Sequence, residues 1–89
     1  MGGISYVYII QSKEGFHYIG QTLDIERRMN EHNSGLSHST KHGKNWTILH
    51  SEVYATRSEA MKREKWFKSG AGRKWIISNV KGWSPPQVG

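Results

Sequence analysis

The chain has no cysteine in its 89 residues, which excludes a disulfide framework and any cysteine-ligated zinc site. It also lacks a long hydrophobic run: no stretch approaches the roughly 20 apolar residues that a membrane-spanning helix needs. The opening Met1-Gly2-Gly3-Ile4-Ser5 shows no positive segment leading into an apolar one, so no secretory signal is read there, and the expected location is the cytoplasm. Acidic residues are few, 7 Asp and Glu against 13 Lys and Arg, for a net charge of +6. That balance favours polyanionic partners through steering and counterion release, although many small proteins are basic for no such reason. The only prolines, Pro85-Pro86, fall in the last segment, which reads as a flexible tail over 81–89. What remains, residues 1–80, is one domain, since a second core would have too little apolar surface to bury. Four Trp, four Tyr and two Phe supply that core, and packing is the expected role of Trp46, Trp66 and Trp75, with stacking on unpaired bases as the alternative.

Along the chain, Tyr6-Val7-Tyr8-Ile9-Ile10 is aromatic and β-branched and reads as a strand. A turn at Ser12-Lys13-Glu14-Gly15 leads to a second strand, Phe16 to Gly20, so the two are expected to pair as a hairpin. Gly20 ends that strand where a side chain would obstruct a close approach. Asp24 to about His32 is predicted as a helix capped by Thr22 or Asp24, with Ile25, Met29 and His32 on one stripe and a stop near Gly35. Ser34 to Asn45 is polar and aperiodic and reads as an exposed loop. A third strand is expected from Trp46 to Tyr54. Thr56-Arg57-Ser58-Glu59 fits a capping box opening a second helix that runs to Phe67-Lys68. Ser69 to Gly72 reads as a break, and Arg73 to Asn79 as a short last helix. The order implies an α+β domain: a small three-stranded antiparallel sheet, made of an N-terminal hairpin and a later strand, flanked by three helices.

Two charged residues disturb the helix patterns. Arg28 lies on the flank of the stripe of the first helix, whereas Arg27 points further from it. In the second helix, with Ala60, Met61 and Phe67 as the apolar stripe, Glu64 falls inside it. A carboxylate there needs a partner or a route to water. One reading is an Arg28–Glu64 ion pair bridging two helices. The other is a metal-assisted phosphodiester site, in which the carboxylate holds the ion and the guanidinium meets the phosphate. Tyr8 and Tyr18 lie on adjacent hairpin strands, where their hydroxyls can share a face. Core packing is the commoner fate of each alone, and parity does not separate Tyr8 from Tyr6.

These residues together resemble the GIY-YIG nuclease superfamily. Tyr6-Val7-Tyr8 stands for the first motif with its glycine replaced, and Tyr18-Ile19-Gly20 matches the second. An Arg28-x-x-x-His32 segment and a glutamate in a later helix follow. The likeness runs from Tyr6 to Ile77 and is closest to the small single-domain branch, similar to the nuclease domain of bacterial excision-repair endonucleases. It implies a divalent-metal-dependent endonuclease acting on DNA, in repair or processing. Tyr8 is then the general base for water, helped by cationic neighbours or by metal-bound water because an ordinary tyrosine has a pKa of about 10. Tyr18 hydrogen-bonds the phosphate or nucleophile, Arg28 neutralises the phosphate, and His32 orients Tyr8 or relays its proton. Glu64 ligates one Mg²⁺ or Mn²⁺. For His32 a helix-end histidine facing the dipole is an equal reading.

The expected partner is DNA, branched or damaged forms included, with a protein partner or a second copy to position it. His38, Lys41, His42 and Lys44, and Arg57, Lys62, Arg63, Lys65, Arg73 and Lys74, either track the DNA backbone or form a solvated basic surface. Zinc binding by the scattered histidines, His38 and His42 included, lacks supporting ligands. The alternatives are a module that grips nucleic acid without cutting, and an interaction domain in which Arg28 and Glu64 are structural.

Overall fold

The computed structural model describes residues 3–83. Three strands, β1 (Ser5–Gln11), β2 (His17–Thr22) and β3 (Thr47–Tyr54), form one antiparallel sheet in the order β2-β1-β3. Helix α1 (Ile25–Ser34) follows the hairpin, and α2 (Arg57–Phe67) and α3 (Gly70–Asn79) follow β3. This is the α+β arrangement expected from the sequence. None of the helices among the described residues is long and apolar enough to cross a membrane.

The central strand explains why its sequence is an unbroken apolar run: β1 is covered on both faces. Val7 and Ile9 pack with Ala60, Phe67, Ile76 and Val80 from the two C-terminal helices and the residue after them. Tyr8 and Ile10 point the other way, into a second cluster with Trp46, flanked by Tyr18, Ile25 and Met29. Trp66 and Trp75 pack against the first cluster. The second strand also runs two residues past Gly20, to Thr22.

Both first caps were legible in the sequence. The Asp24 carboxylate accepts from the Arg27 N–H at 3.1 Å, and the Thr56 hydroxyl accepts from the Glu59 N–H at 3.2 Å. The last helix differs from expectation. Ser69 does not break the chain but caps α3, accepting from the Gly72 N–H at 3.2 Å, so the helix starts at Gly70 rather than Arg73. Gly70 and Gly72 cost helix propensity, yet Gly72 is buried where α3 meets the end of α2, and a Cβ there would run into the Trp66 carbonyl and the Phe67 backbone. Close approach of two helices therefore selects the glycine. Gly72→Ala should destabilise the protein by about 1–3 kcal/mol, seen as a lower urea midpoint with an unchanged slope, whereas Ala at exposed Gly70 should not.

The apolar stripe of α2 is narrower than expected, because Met61 is half exposed. Arg63 is engaged within the fold. Its Nε and Nη2 donate to Glu52 of β3 at 2.9 and 3.2 Å, and its guanidinium lies 4.4 Å from the Trp66 ring centroid and 4.5 Å from that of Phe67. Burial pushes the Glu52 carboxyl up, but hydrogen bonds from Arg63, His50 and Tyr54 outweigh it and hold it down at about 2. A carboxylate depressed in the folded state contributes stability that is fully present above its ordinary value of 4.5 and is lost as pH falls toward 2. Acid titration of the wild type should show this loss. Glu52→Gln should lack it and cost about 2–3 kcal/mol at neutral pH.

Residues 81–83 do not behave as a tail. Trp83 stacks on His17, with ring centroids 3.6 Å apart and planes 13° apart, and packs against the first core cluster. The rest of the expected tail, residues 84–89, lies outside the described residues.

Candidate active site

The hairpin register decides which tyrosine matters. Tyr8 pairs with Gly20, and Ile10 with Tyr18, so Tyr8, Tyr18 and Gly20 share one face of the sheet. The Tyr8 and Tyr18 ring centroids are 6.1 Å apart. A Cβ on Gly20 would lie 2.6 Å from the Tyr8 hydroxyl and 2.8 Å from the Tyr18 ring. The glycine of the second motif is thus the space into which the tyrosine of the first one lies. Tyr6 has the same parity, but it pairs with Thr22 and is only half buried, whereas Tyr8 is 1% exposed.

Helix α1 brings His32 onto this face through the stripe Ile25, Met29, His32. His32 is buried, and its Nε2 lies 2.9 Å from the Tyr8 hydroxyl. Its Nδ1 lies 2.6 Å from the Thr40 hydroxyl. Burial, with Arg28 nearby, holds the His32 pKa down at about 4, so the ring is neutral at physiological pH. A neutral imidazole donates at one nitrogen and accepts at the other. With the Tyr8 hydroxyl donating to Nε2, the Nδ1–H donates to Thr40. His32 does lie in the last turn of α1, but as a neutral member of a buried network it brings no charge to the helix dipole.

The segment after α1 is not the exposed loop its composition suggests. Ser37, Thr40 and Gly43 are buried, and Trp46 is 2% exposed. The Trp46 indole N–H donates to the Thr40 carbonyl at 3.1 Å. Asn33 clamps the Trp46 backbone from both sides, accepting from its N–H at 2.6 Å and donating to its carbonyl at 3.1 Å. Thr40 and Ser37 thus belong to the site although nothing in their local sequence marks them. Only contacts from elsewhere in the chain do so.

Arg28 and Glu64 do not pair. Arg28 donates to Glu31, one turn on, at 2.8 Å, and to the Ser37 hydroxyl at 3.4 Å. Glu64 accepts from Lys68 at 2.7 Å. The bridging ion pair read from the two helix patterns is absent because each charge finds a partner on or beside its own helix, at less cost in side-chain ordering. Arg28 nevertheless lies near Tyr8 and Tyr18, and its pKa is raised, chiefly by Glu31. Glu64 is close enough for its charge to act on Tyr8. Tyr18, Arg28 and His32, from β2 and α1, therefore lie around the Tyr8 hydroxyl, and the charge of Glu64 on α2 acts on it from further away.

Tyr8 itself is not prepared for ionisation. Burial pushes its pKa up to about 12, and the neighbouring Arg28 only partly offsets that, while Tyr18 and Glu64 add to the rise. The cationic help expected from the sequence is present but is outweighed by burial. As for a metal, no group of three or more His, Asp or Glu side chains gathers among the described residues. Glu64 is a single carboxylate, partly exposed and paired to a lysine that is half in solvent. That donor set suits a largely hydrated Mg²⁺ or Mn²⁺ and does not suit a protein-caged ion.

A hairpin offering two tyrosines across a glycine, a helix adding arginine and histidine, and a second helix adding one carboxylate define a GIY-YIG-type α+β domain. The chain belongs to the GIY-YIG family: the profile of the GIY-YIG catalytic domain matches residues 4–75. It is 40% identical over 60 residues to a UPF0213 protein of Halobacterium salinarum, covering 66% of this chain and 78% of the relative. A UPF0213 protein of Enterococcus faecalis is 41% identical over 66 residues, covering 71% and 75% of the two chains. The solution structure of a UPF0213 protein from Bacillus halodurans aligns with a TM-score of 0.52 at 28% identity, over 92% of this chain and 88% of that one.

Proposed function

We propose that the protein is a divalent-metal-dependent endonuclease that hydrolyses phosphodiester bonds in DNA, within DNA repair or processing in the cytoplasm. The observation that carries this reading is the buried Tyr8–His32 hydrogen bond, held beside Arg28 and within electrostatic reach of Glu64. A fold that needed only packing would have little use for a polar pair at this depth.

In this reading the ionised form of Tyr8, its own proton given up to solvent, takes the proton of the attacking water, and His32, held by Thr40, hydrogen-bonds the tyrosine oxygen. Arg28 meets the non-bridging phosphate oxygens, which its planar guanidinium suits better than an ammonium would. Tyr18 donates to the phosphate from the same face of the hairpin. Glu64 would hold the metal ion, releasing Lys68, and a bound divalent cation supplies charge neutralisation at the leaving 3′ oxygen. The net charge of +6 supports a DNA partner through its attraction for the phosphate backbone.

The test is nicking of supercoiled plasmid and cutting of labelled branched DNA with Mg²⁺, with Mn²⁺ and with EDTA. Cutting is expected with either metal and should stop on chelation. Binding of these DNAs without any cutting would instead make the protein a non-catalytic nucleic-acid-binding module.

A further inference from the structure

Beside the candidate active site lies a groove of about 690 Å³, running between the hairpin and the end of α2 and α3. That volume is in the range of small-ligand pockets. Its aromatic lining comes from Phe16, which is 45% exposed and meets His42 edge-on with ring centroids 4.6 Å apart, and from Trp83 stacked on His17. Ile77 of α3, 68% exposed, adds apolar surface, and Lys68 and Arg73 add two positive charges. The one acidic residue of the lining, Glu14, already accepts from the Lys44 backbone N–H at 3.0 Å. Two residues are common to the groove and the candidate site. Tyr18 lines it and also faces His32, with ring centroids 5.1 Å apart, and Lys68 lines it while pairing with Glu64. None of Phe16, Trp83, Arg73 and Ile77 is used by the hydrolysis described above.

From this juxtaposition we infer that the groove is a nucleobase subsite: it takes one unstacked base of the DNA strand, next to the scissile phosphate, on the surface made by Phe16 and the His17–Trp83 stack. Arg73 and Lys68 meet the flanking phosphates. The inference rests on the active-site reading for its position but not for its binding chemistry. Aromatic surface beside cations is what an extruded or single-stranded base requires, since every base has a π face and every linkage a negative charge. A fully stacked duplex offers no base to fill the groove. The subsite therefore favours DNA unpaired at this point, as in single strands, bulges and branch points.

Binding is measured by fluorescence anisotropy in EDTA, so that no cutting is involved. The probes are a short labelled oligothymidylate, the same oligomer built of abasic residues, and a duplex of equal length. Wild type should bind the oligothymidylate about tenfold more tightly than the abasic strand. Phe16→Ala, at an exposed position, and Trp83→Leu should each narrow that gap, whereas Arg73→Ala should weaken both strands alike. In nitrogen-resolved NMR, the Trp83 indole N–H and residues 15–19 should shift with oligothymidylate and not with the abasic strand. Equal affinity for the two strands, or a gap that Phe16→Ala leaves intact, overturns the subsite. Because these measurements need no metal, a protein that shows the base preference and cuts nothing would refute the nuclease reading alone.

Discussion

Tyr8→Phe should lower the rate of metal-dependent cutting by about 10²–10⁴-fold, the range that a positioned general base contributes. The substitution removes one oxygen and leaves the ring that fills the space over Gly20, so the hairpin and the second core cluster should persist. It does strip His32 Nε2 of its hydrogen-bond partner in a buried place, at a stability cost of about 1–3 kcal/mol. Circular dichroism and a thermal melt are therefore read alongside the cleavage assay. A variant that is folded and inactive supports the role of the hydroxyl. A folded variant cutting within a few-fold of wild type would assign the proton to another acceptor. The pH profile adds a second readout: burial raises Tyr8 to about 12, so the ionised fraction, and with it the wild-type rate, should climb through the neutral and alkaline range. It should not level off near pH 7.

Glu64→Gln should lower cutting by about 10³-fold, since an amide cannot supply the negative charge that holds a divalent ion against hydration. Its effect on stability should be small, within about 0.5 kcal/mol. Among the described residues the Glu64 carboxylate is hydrogen-bonded to Lys68 of the following turn alone, an i,i+4 pair with the lysine half in solvent. Those two expectations separate the nuclease from an interaction domain in which Glu64 is structural, where the melt would move and there would be no cleavage to lose. Cleavage assays over a range of Mn²⁺ concentration, paired with urea unfolding, decide between them. Retained cutting by a stable Glu64→Gln protein would remove this carboxylate from the metal site.

The pattern of apolar residues and caps was enough to give the element types and their order. Strand β1 is apolar from Tyr6 to Ile10 because both its faces are covered, and α1 and α2 carry side-chain caps whose chemistry is local. Arg28 stood out from Arg27, and Glu64 from its neighbours, because helix periodicity fixes which face a residue occupies. What periodicity does not fix is the partner. Arg28 and Glu64 were equally consistent with a mutual ion pair, and the structure pairs each with a residue on or beside its own helix.

The sequence by itself determined the α+β class and the hairpin, and it singled out Arg28 and Glu64 as charges set against apolar stripes, since these follow from side-chain spacing of 2 and 3.6 residues. Only the tertiary structure decided that Tyr8 rather than Tyr6 lies over Gly20, that residues 35–46 fold back to place Thr40 on His32, and that Ser69 caps a helix starting at Gly70 where a break was expected. It also decided that Trp83 closes a groove beside the site. Each of these depends on an approach between residues distant along the chain, or on the packing of one element against another, and local sequence chemistry carries no record of either.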